Sequence, residues 1–424
     1  MNAKQILTQA FRDVGIEVGR DIIVHDGRFY ARVLAEHSMG MGEAYVEGWW
    51  DSADLVGLFQ KIIVGLPSIQ KSLRSNVRVA AYYLFASLFN RQRRHQARRD
   101  VQAHYDIGNE LYEMMLDKNM LYTCAYFHHP SWTLEQAQLA KIQLVYQKLQ
   151  IPEKFAAGKR LKVLDIGCGW GYGLIHGAKH YGIEGMGLTL SEEQAAWARQ
   201  RAKGLPIDIR LQDYRDLPEG EKFDAIYSLG MMEHVGQKNY REFMEIVARH
   251  LKPDGLFLLH TIGTHLPGPP EPWMGKYIFP GAYIPSQLQL TRAADGIFFE
   301  QDFHNFGLYY ARTAEEWFAR FDRGWDQLRR LRPDFYTTQF YRMWKYYLLT
   351  SAAGFRVGYN QLWQMVYSKQ PLSKVYEGVR SPELVVSRSA GTPADSGWNW
   401  SAPQVNRSFE AAHWVEAEPF GIEN

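Results

Sequence analysis

Val163-Leu-Asp-Ile-Gly-Cys-Gly-Trp-Gly171 is the stretch on which the reading of this chain turns. The branched apolar residues around Asp165 predict a strand buried on both faces of a parallel sheet. Gly167, Gly169 and Gly171 then end it. Glycine there allows a sharp turn and lets a ligand approach without a Cβ in the way. A helix should follow, its free N–H groups turned towards that ligand. Such a strand–loop–helix binds a nucleotide-like cofactor.

Spacing narrows the cofactor. The loop reads G-x-G-x-G, not the G-x-G-x-x-G of dinucleotide folds, and it lacks the Lys-Ser/Thr pair of a P-loop. An acidic residue ahead of a G-x-G loop is typical of adenosylmethionine sites, where it anchors the cofactor's amino group. Downstream, the pattern alternates as a parallel sheet requires. Strands are expected at 160–166, 184–189, 208–211, 223–229 and 256–260. Between them, Ser191 caps a helix over 192–202, and a helix over 239–250 ends at a Lys252-Pro-Asp-Gly255 turn. The expected fold class is α/β, Rossmann-like, a mostly parallel sheet with flanking helices.

Ligands in open α/β sheets sit at the carboxyl ends of the strands. That rule nominates Gly167 and Gly169 from the first strand, Thr189 and Leu190 from the second, and Gln212 and Asp213 from the third. Thr189 or Gln194 would hold a ribose through uncharged hydrogen bonds, and Gln212 and Asp213 would read the adenine amino group. Glu233 follows the fourth strand and His260 ends the fifth. The two are expected to be neighbours, able to bind a small polar group or move a proton. His234, beside Glu233, is expected to be structural, since adjacent residues on a helix point apart.

The remaining chain is organised around this core. Residues 1–90 read as a small, mainly helical N-terminal domain and 91–100 as a basic linker. Residues 101–370 read as the catalytic domain, and 371–424 as a polar, poorly ordered tail. Residues 102–150 look helical with a break near 121–127. Residues 263–287 look like a Pro- and Gly-rich insertion loop, and 308–359 are aromatic-rich and largely helical. Hydrophobic residues make up 46% of the 424 positions, enough for a sizeable core. The net charge of +2 does not suggest nucleic-acid binding. Cys124 and Cys168, the 2 cysteines, offer no metal or disulfide framework. The longest apolar run, Val79–Phe89, is 11 residues, too short for a bilayer that needs about 20. A cytoplasmic protein is expected.

Charge distribution says more than net charge. Between Leu55 and Arg99 there are 9 basic residues and no Asp or Glu, interleaved with apolar stretches. That combination suits an anionic membrane surface, where each Lys or Arg contributes up to about 1 kcal/mol.

Taken together, GEAYVEGWW, HYDIGNELYEMML, YTCAYF, LDIGCGWG, GLTLSEEQ, LQDYRDL, MMEHVG, LLHTIG, KYIFPG, HNFG and QLWQMVYSK resemble the cyclopropane-fatty-acid synthase family from about Val33 to Lys369. The resemblance implies a class I methyltransferase fold using S-adenosylmethionine. It also implies the substrate, an unsaturated acyl chain in a membrane phospholipid. The cis double bond would take the methyl group, and loss of a proton from the resulting cation would close a cyclopropane ring. A related lipid C-methyltransferase leaving a methylene or methyl branch differs only in where the proton leaves. By the same resemblance a bound bicarbonate takes the proton, held by Cys124, Glu233, His260, Ile262 and Tyr310, with Cys124 and Ile262 acting through backbone groups. Cofactor residues carried over are Tyr122, Thr123, Gly167, Cys168, Gly169, Thr189, Leu190, Gln194, Gln212, Asp213 and Tyr214. The basic N-terminal segment corresponds to a lipid-facing domain on the inner face of the membrane, and a homodimer is implied. One departure is Ser351, where many relatives carry a cysteine.

Overall fold

The computed structural model describes residues 2–72, 108–268 and 271–382. The expected basic linker, the Val79–Phe89 run and the tail beyond residue 382 lie outside the described residues.

Three helices open the chain: α1 (Ala3–Arg12), α2 (Arg28–Val46) and α3 (Leu55–Ser72). Asn2 starts α1 through a capping box with Gln5, which satisfies two otherwise orphaned donors. A short antiparallel ribbon, β1 (Ile23–Val24) with β2 (Trp50–Asp51), ties the helices together. Next come α4 (Asn109–Met115), α5 (Leu134–Lys148) and α6 (Ile151–Ala156). The expected break at 121–127 is an irregular segment between α4 and α5.

The βα alternation then runs β3 (Lys162–Ile166), α7 (Tyr172–Tyr181), β4 (Glu184–Thr189), α8 (Glu192–Arg201), β5 (Ile207–Leu211) and β6 (Phe223–Leu229). It continues through α9 (Met232–Val235), α10 (Tyr240–His250) and β7 (Leu251–Thr264). Ser191 caps α8 through the backbone of Gln194, as expected. The Lys252–Gly255 turn is instead absorbed into β7. Leu251 pairs with Phe223, Leu256 pairs with Ala225, and the intervening residues form an irregularity in one long strand.

The last third holds α11 (Pro272–Tyr277), α12 (Gln287–Ala294), β8 (Phe299–Asn305), α13 (Leu308–Leu331), α14 (Thr338–Arg356) and β9 (Asn360–Ser368). The insertion thus contains a helix of its own. Two strands extend the sheet beyond the parallel core. The order is β5-β4-β3-β6-β7-β9-β8, with β9 antiparallel to both neighbours. The chain runs outward from β3 to β5 and then returns to the other side of β3. That reversal opens a crevice at the carboxyl end of β3, where such sheets hold ligands.

The N-terminal helices do not stand apart. Phe29, Tyr45 and Trp50 share one apolar cluster with Trp273, Trp317, Trp344 and Tyr346. The start of the expected tail is also pinned. Lys148, wholly buried, pairs with Asp302 at 2.9 Å, and Arg380 binds the same carboxylate. Tyr376 donates to the Lys148 carbonyl at 2.8 Å. A buried cation must be paired, and this one draws residues 372–380 against β8. Tyr376 and Arg380, at the start of the expected tail, are thus bonded to α5 and β8.

Candidate active site

The glycine loop bends as its sequence demands. Gly167 lies at φ +87°, and a Cβ there would meet Met231 at 2.9 Å. Side chains are strained in that region of backbone space and the space is already filled, so only glycine fits. The loop forms one wall of a cavity at the ends of β3, β4, β5 and β6. Tyr122, Thr123, Gly167, Cys168, Gly169, Thr189, Leu190, Gln194, Gln212, Asp213 and Tyr214 all line it. The eleven residues carried over for the cofactor are thus brought together.

Their local bonds define what each can do. The Thr189 hydroxyl donates to Gln194 Oε1 at 2.8 Å, which sets two uncharged polar groups side by side at the end of β4. Asp213 is less free than its expected adenine contact implies. Its carboxylate takes the Arg215 guanidinium at 2.6 Å and 2.9 Å. The Cys168 thiol packs behind the loop, where a Cβ on Gly187 would meet it at 2.8 Å, so its backbone is what faces the cavity. Tyr122 joins its hydroxyl to that of Tyr347 at 2.8 Å, and its ring packs on Tyr112 and Trp317.

Asp165 and His234 also line the cavity. Burial pushes the Asp165 carboxyl up to about 8, and its Oδ1 has no partner. A cationic amino group there would satisfy it and restore its charge. His234 departs from its structural expectation. It and Glu233 do point apart, but His234 points at the cavity, beside Phe279. Burial holds its ring neutral, lowering it to about 4.

The five residues carried over for the bicarbonate do not line that cavity. Glu233, on the one-turn helix α9, accepts from the Ile262 N–H at 2.7 Å. Its Oε2 is buried without a partner. Burial raises its carboxyl to about 7, against the opposing pull of the Ile262 N–H. His260 stands in β7 opposite Gln364 of β9. Its Nδ1 lies 3.3 Å from Gln364 Nε2, while Nε2 has no partner. With the amide oriented this way the ring accepts at Nδ1 and carries its proton on Nε2. Burial drives its titration well below the ordinary histidine value, so the ring is neutral.

Cys124, Ile262 and Tyr310 join an apolar cluster with Tyr126, Phe306 and Leu362, and Phe306 stacks edge-on against His260. Tyr310 lies parallel to Phe355, centroids 4.5 Å apart. The Cys124 thiol donates to the Ala125 carbonyl at 3.2 Å, and burial raises its titration, keeping it protonated. That suits a backbone role and removes it as a nucleophile. Glu233 Oε2 and His260 Nε2 are thus two buried polar atoms without partners, with an aromatic ring set against His260. Ser351 sits on α14 and does not line the cofactor cavity.

Sequence reasoning passed over Gln138, Lys141 and Gln364, all wholly buried polar residues. Gln138 and Lys141 lie three apart on α5, a spacing that puts them on one face. Their burial was the missing signal.

Comparison with other proteins points to one family. The family model for mycolic acid cyclopropane synthetase matches residues 92–365. The cyclopropane-fatty-acyl-phospholipid synthase of Escherichia coli is 41% identical over 87% of this chain and 92% of its own. The tuberculostearic acid methyltransferase UfaA1 of Mycobacterium tuberculosis is 31% identical over 81% of this chain and 82% of its own. Among solved structures, the mycolic acid cyclopropane synthase CmaA1 complexed with SAH and CTAB covers 64% of this chain and 98% of that one. It aligns with TM-score 0.57 at 30% identity. The chain therefore belongs to the mycolic acid cyclopropane synthetase family and is an S-adenosylmethionine-dependent methyltransferase.

Proposed function

We propose that the protein transfers a methylene group from S-adenosylmethionine to the cis double bond of an unsaturated acyl chain in a phospholipid, forming a cyclopropane. The observation that carries this reading is the pair Glu233 and His260. Each carries a buried polar atom without a partner, and the Phe306 ring of an apolar, aromatic cluster lies against His260. An ordinary N- or O-methyltransferase needs no such pair, because its acceptor carries its own lone pair. An alkene acceptor becomes a cation on methylation and must then lose a proton.

The residues divide that work. Asp165 and the glycine loop seat the cofactor, and Tyr122 and Thr123 close over it. Tyr310 and Phe306 offer ring faces to the developing cation. The aliphatic walls keep water from capturing it. Glu233 and the His260 Nε2–H fit a small oxyanion such as bicarbonate, one accepting or donating as its protonation requires and the other donating. When bound, bicarbonate would supply the base that accepts the methyl proton. Cys124 and Ile262 would act there through backbone groups, the Ile262 N–H by holding the Glu233 carboxyl.

The similarity to a tuberculostearic acid methyltransferase favours a second reading, a methyl- or methylene-branched product. The proposal also includes contact with an anionic membrane surface through the basic N-terminal segment, and pairing of two subunits. No described helix is long and apolar enough to cross a membrane. Of the 9 basic residues of that segment, Lys61 pairs with Asp21 at 3.1 Å.

The test is incubation with S-adenosylmethionine and vesicles of monounsaturated phospholipid, with and without bicarbonate. Acyl mass and unsaturation are then measured. A gain of one CH₂ with loss of the double bond supports the cyclopropane. The same gain with an olefin retained supports the branched reading. No gain with bicarbonate present refutes both.

A further inference from the structure

A lysine buried in the middle of α5 has no role in the scheme above. Lys141 is wholly shielded from solvent, and among the described residues no carboxylate lies within 4.0 Å of its ammonium. Among the described residues its one hydrogen bond is to the Thr123 hydroxyl oxygen, at 2.5 Å. One turn away, Gln138 donates to the Leu121 and Thr123 carbonyls at 3.1 Å and 2.8 Å. Both side chains grip the loop that carries Tyr122, Thr123 and Cys124. Burying an ammonium is costly unless it is paired, and a neutral apolar residue could have supported the loop at lower cost.

The chemistry of the contact suggests why the charge is kept. The ammonium can only donate, so the Thr123 oxygen must accept. The hydroxyl proton of Thr123 is then turned elsewhere. The Thr123 methyl lies against Gly230, where a Cβ would meet it at 2.8 Å. The remaining side of Thr123 is the cofactor cavity, which it lines. Among the described residues no hydrogen bond donated by the Thr123 hydroxyl is found, its oxygen being taken by Lys141. The other charged or titratable groups facing Lys141 are Asp117, Cys124, Asp165 and His260. Of these, Asp117 is spent on the backbone N–H groups of Asn119 and Leu121.

We propose that Lys141 is a positioning residue for methyl transfer: it turns and strengthens the Thr123 hydroxyl as a hydrogen-bond donor into the cleft, for a carboxylate-type oxyanion. Two sources share that chemistry, the carboxylate of the cofactor itself and a carbonate-type anion bound beside it. The inference rests on the cofactor reading of the cleft.

The full-length protein tests it through the variants Lys141→Met, Thr123→Val, the double variant and Thr123→Ser. Binding of S-adenosylhomocysteine and of 5′-methylthioadenosine, which lacks the carboxylate, is measured by calorimetry. If the cofactor carboxylate is the partner, Lys141→Met and Thr123→Val each weaken S-adenosylhomocysteine by about tenfold or more, the size of one charge-assisted hydrogen bond. The double variant is no worse, Thr123→Ser restores affinity, and methylthioadenosine is unaffected. If the partner is the carbonate-type anion, cofactor binding holds and the bicarbonate concentration for half-maximal turnover rises by a similar factor. Burial lowers Lys141 to about 8, so the affected constant in the unmodified protein should weaken above that pH, and not in Thr123→Val. Additive losses in the double variant, equal losses for both nucleosides, or no change in either constant overturn the inference. Because Thr123 lies at the cavity wall, the Val and Ser comparison stands even if Lys141→Met fails to fold. Failure of the unmodified protein to bind S-adenosylhomocysteine would instead refute the cofactor reading.

Discussion

Replacing Glu233 by glutamine should stabilise the protein while stopping the reaction. The Glu233 side chain is only 6% exposed, and burial raises its carboxyl from 4.5 to about 7. In the unfolded chain it ionises near 4.5, so between that pH and 7 the folded state holds a proton that the unfolded state has released. Stability must then fall as pH rises through this window and level off above it. At about 1.4 kcal/mol per pH unit, the cost to folding is about 1 kcal/mol at pH 5 and about 3 kcal/mol at pH 8. Glutamine keeps the shape. Its carbonyl can still accept the 2.7 Å bond from Ile262, and its amide nitrogen takes the place of the unpartnered Oε2. The variant should therefore be more stable by up to about 3 kcal/mol at pH 8, with the gain shrinking towards pH 5. Urea unfolding at the two pH values measures this. Turnover should fall by about 100-fold or more, with S-adenosylhomocysteine affinity retained. A glutamine variant that is less stable at pH 8, or whose difference does not vary with pH, would refute the reasoning. So would a variant whose main defect is cofactor binding.

Three further expectations follow from particular residues. Gly167→Ala should weaken S-adenosylhomocysteine binding by about tenfold or more, read by calorimetry, because its φ of +87° and the Met231 contact at 2.9 Å force the loop to move. Ser351→Ala should leave turnover within about twofold, since Ser351 does not line the cofactor cavity and serine is a poor nucleophile without a base; a large loss would reopen a covalent route. Vesicle co-sedimentation should weaken as salt rises if basic residues make the membrane contact, and salt-independent binding would point to apolar insertion instead.

The parallel core was legible because its signals are local. A strand buried on both faces is written as a short branched apolar run, and β3, β4, β5 and β6 lie within a residue or two of the expected spans. Once those strands are known, the strand-end rule finds Thr189, Asp213, Glu233 and His260 without any contact information. The antiparallel pair β8 and β9 was not legible. Strand β8 carries Gln301, Asp302, His304 and Asn305, polar residues that suggest a loop. They are tolerated because Lys148, Arg380, Ser368 and Gln361 reach them from elsewhere in the chain.

By itself the sequence determined which backbone could turn at Gly167, which strands could be buried, and which residues would stand at their ends. These follow from properties each short segment carries with it. Only the tertiary structure decided the state of the candidate catalytic groups. Glu233 is raised and His260 is held neutral because seven strands and α9 remove water from both. Gln138 and Lys141 look like solvent residues on a helix until the Leu121–Ala125 segment is laid across them. Desolvation and pairing depend on what the distant chain brings, and they set buried polar groups without partners near a recognisable cofactor loop.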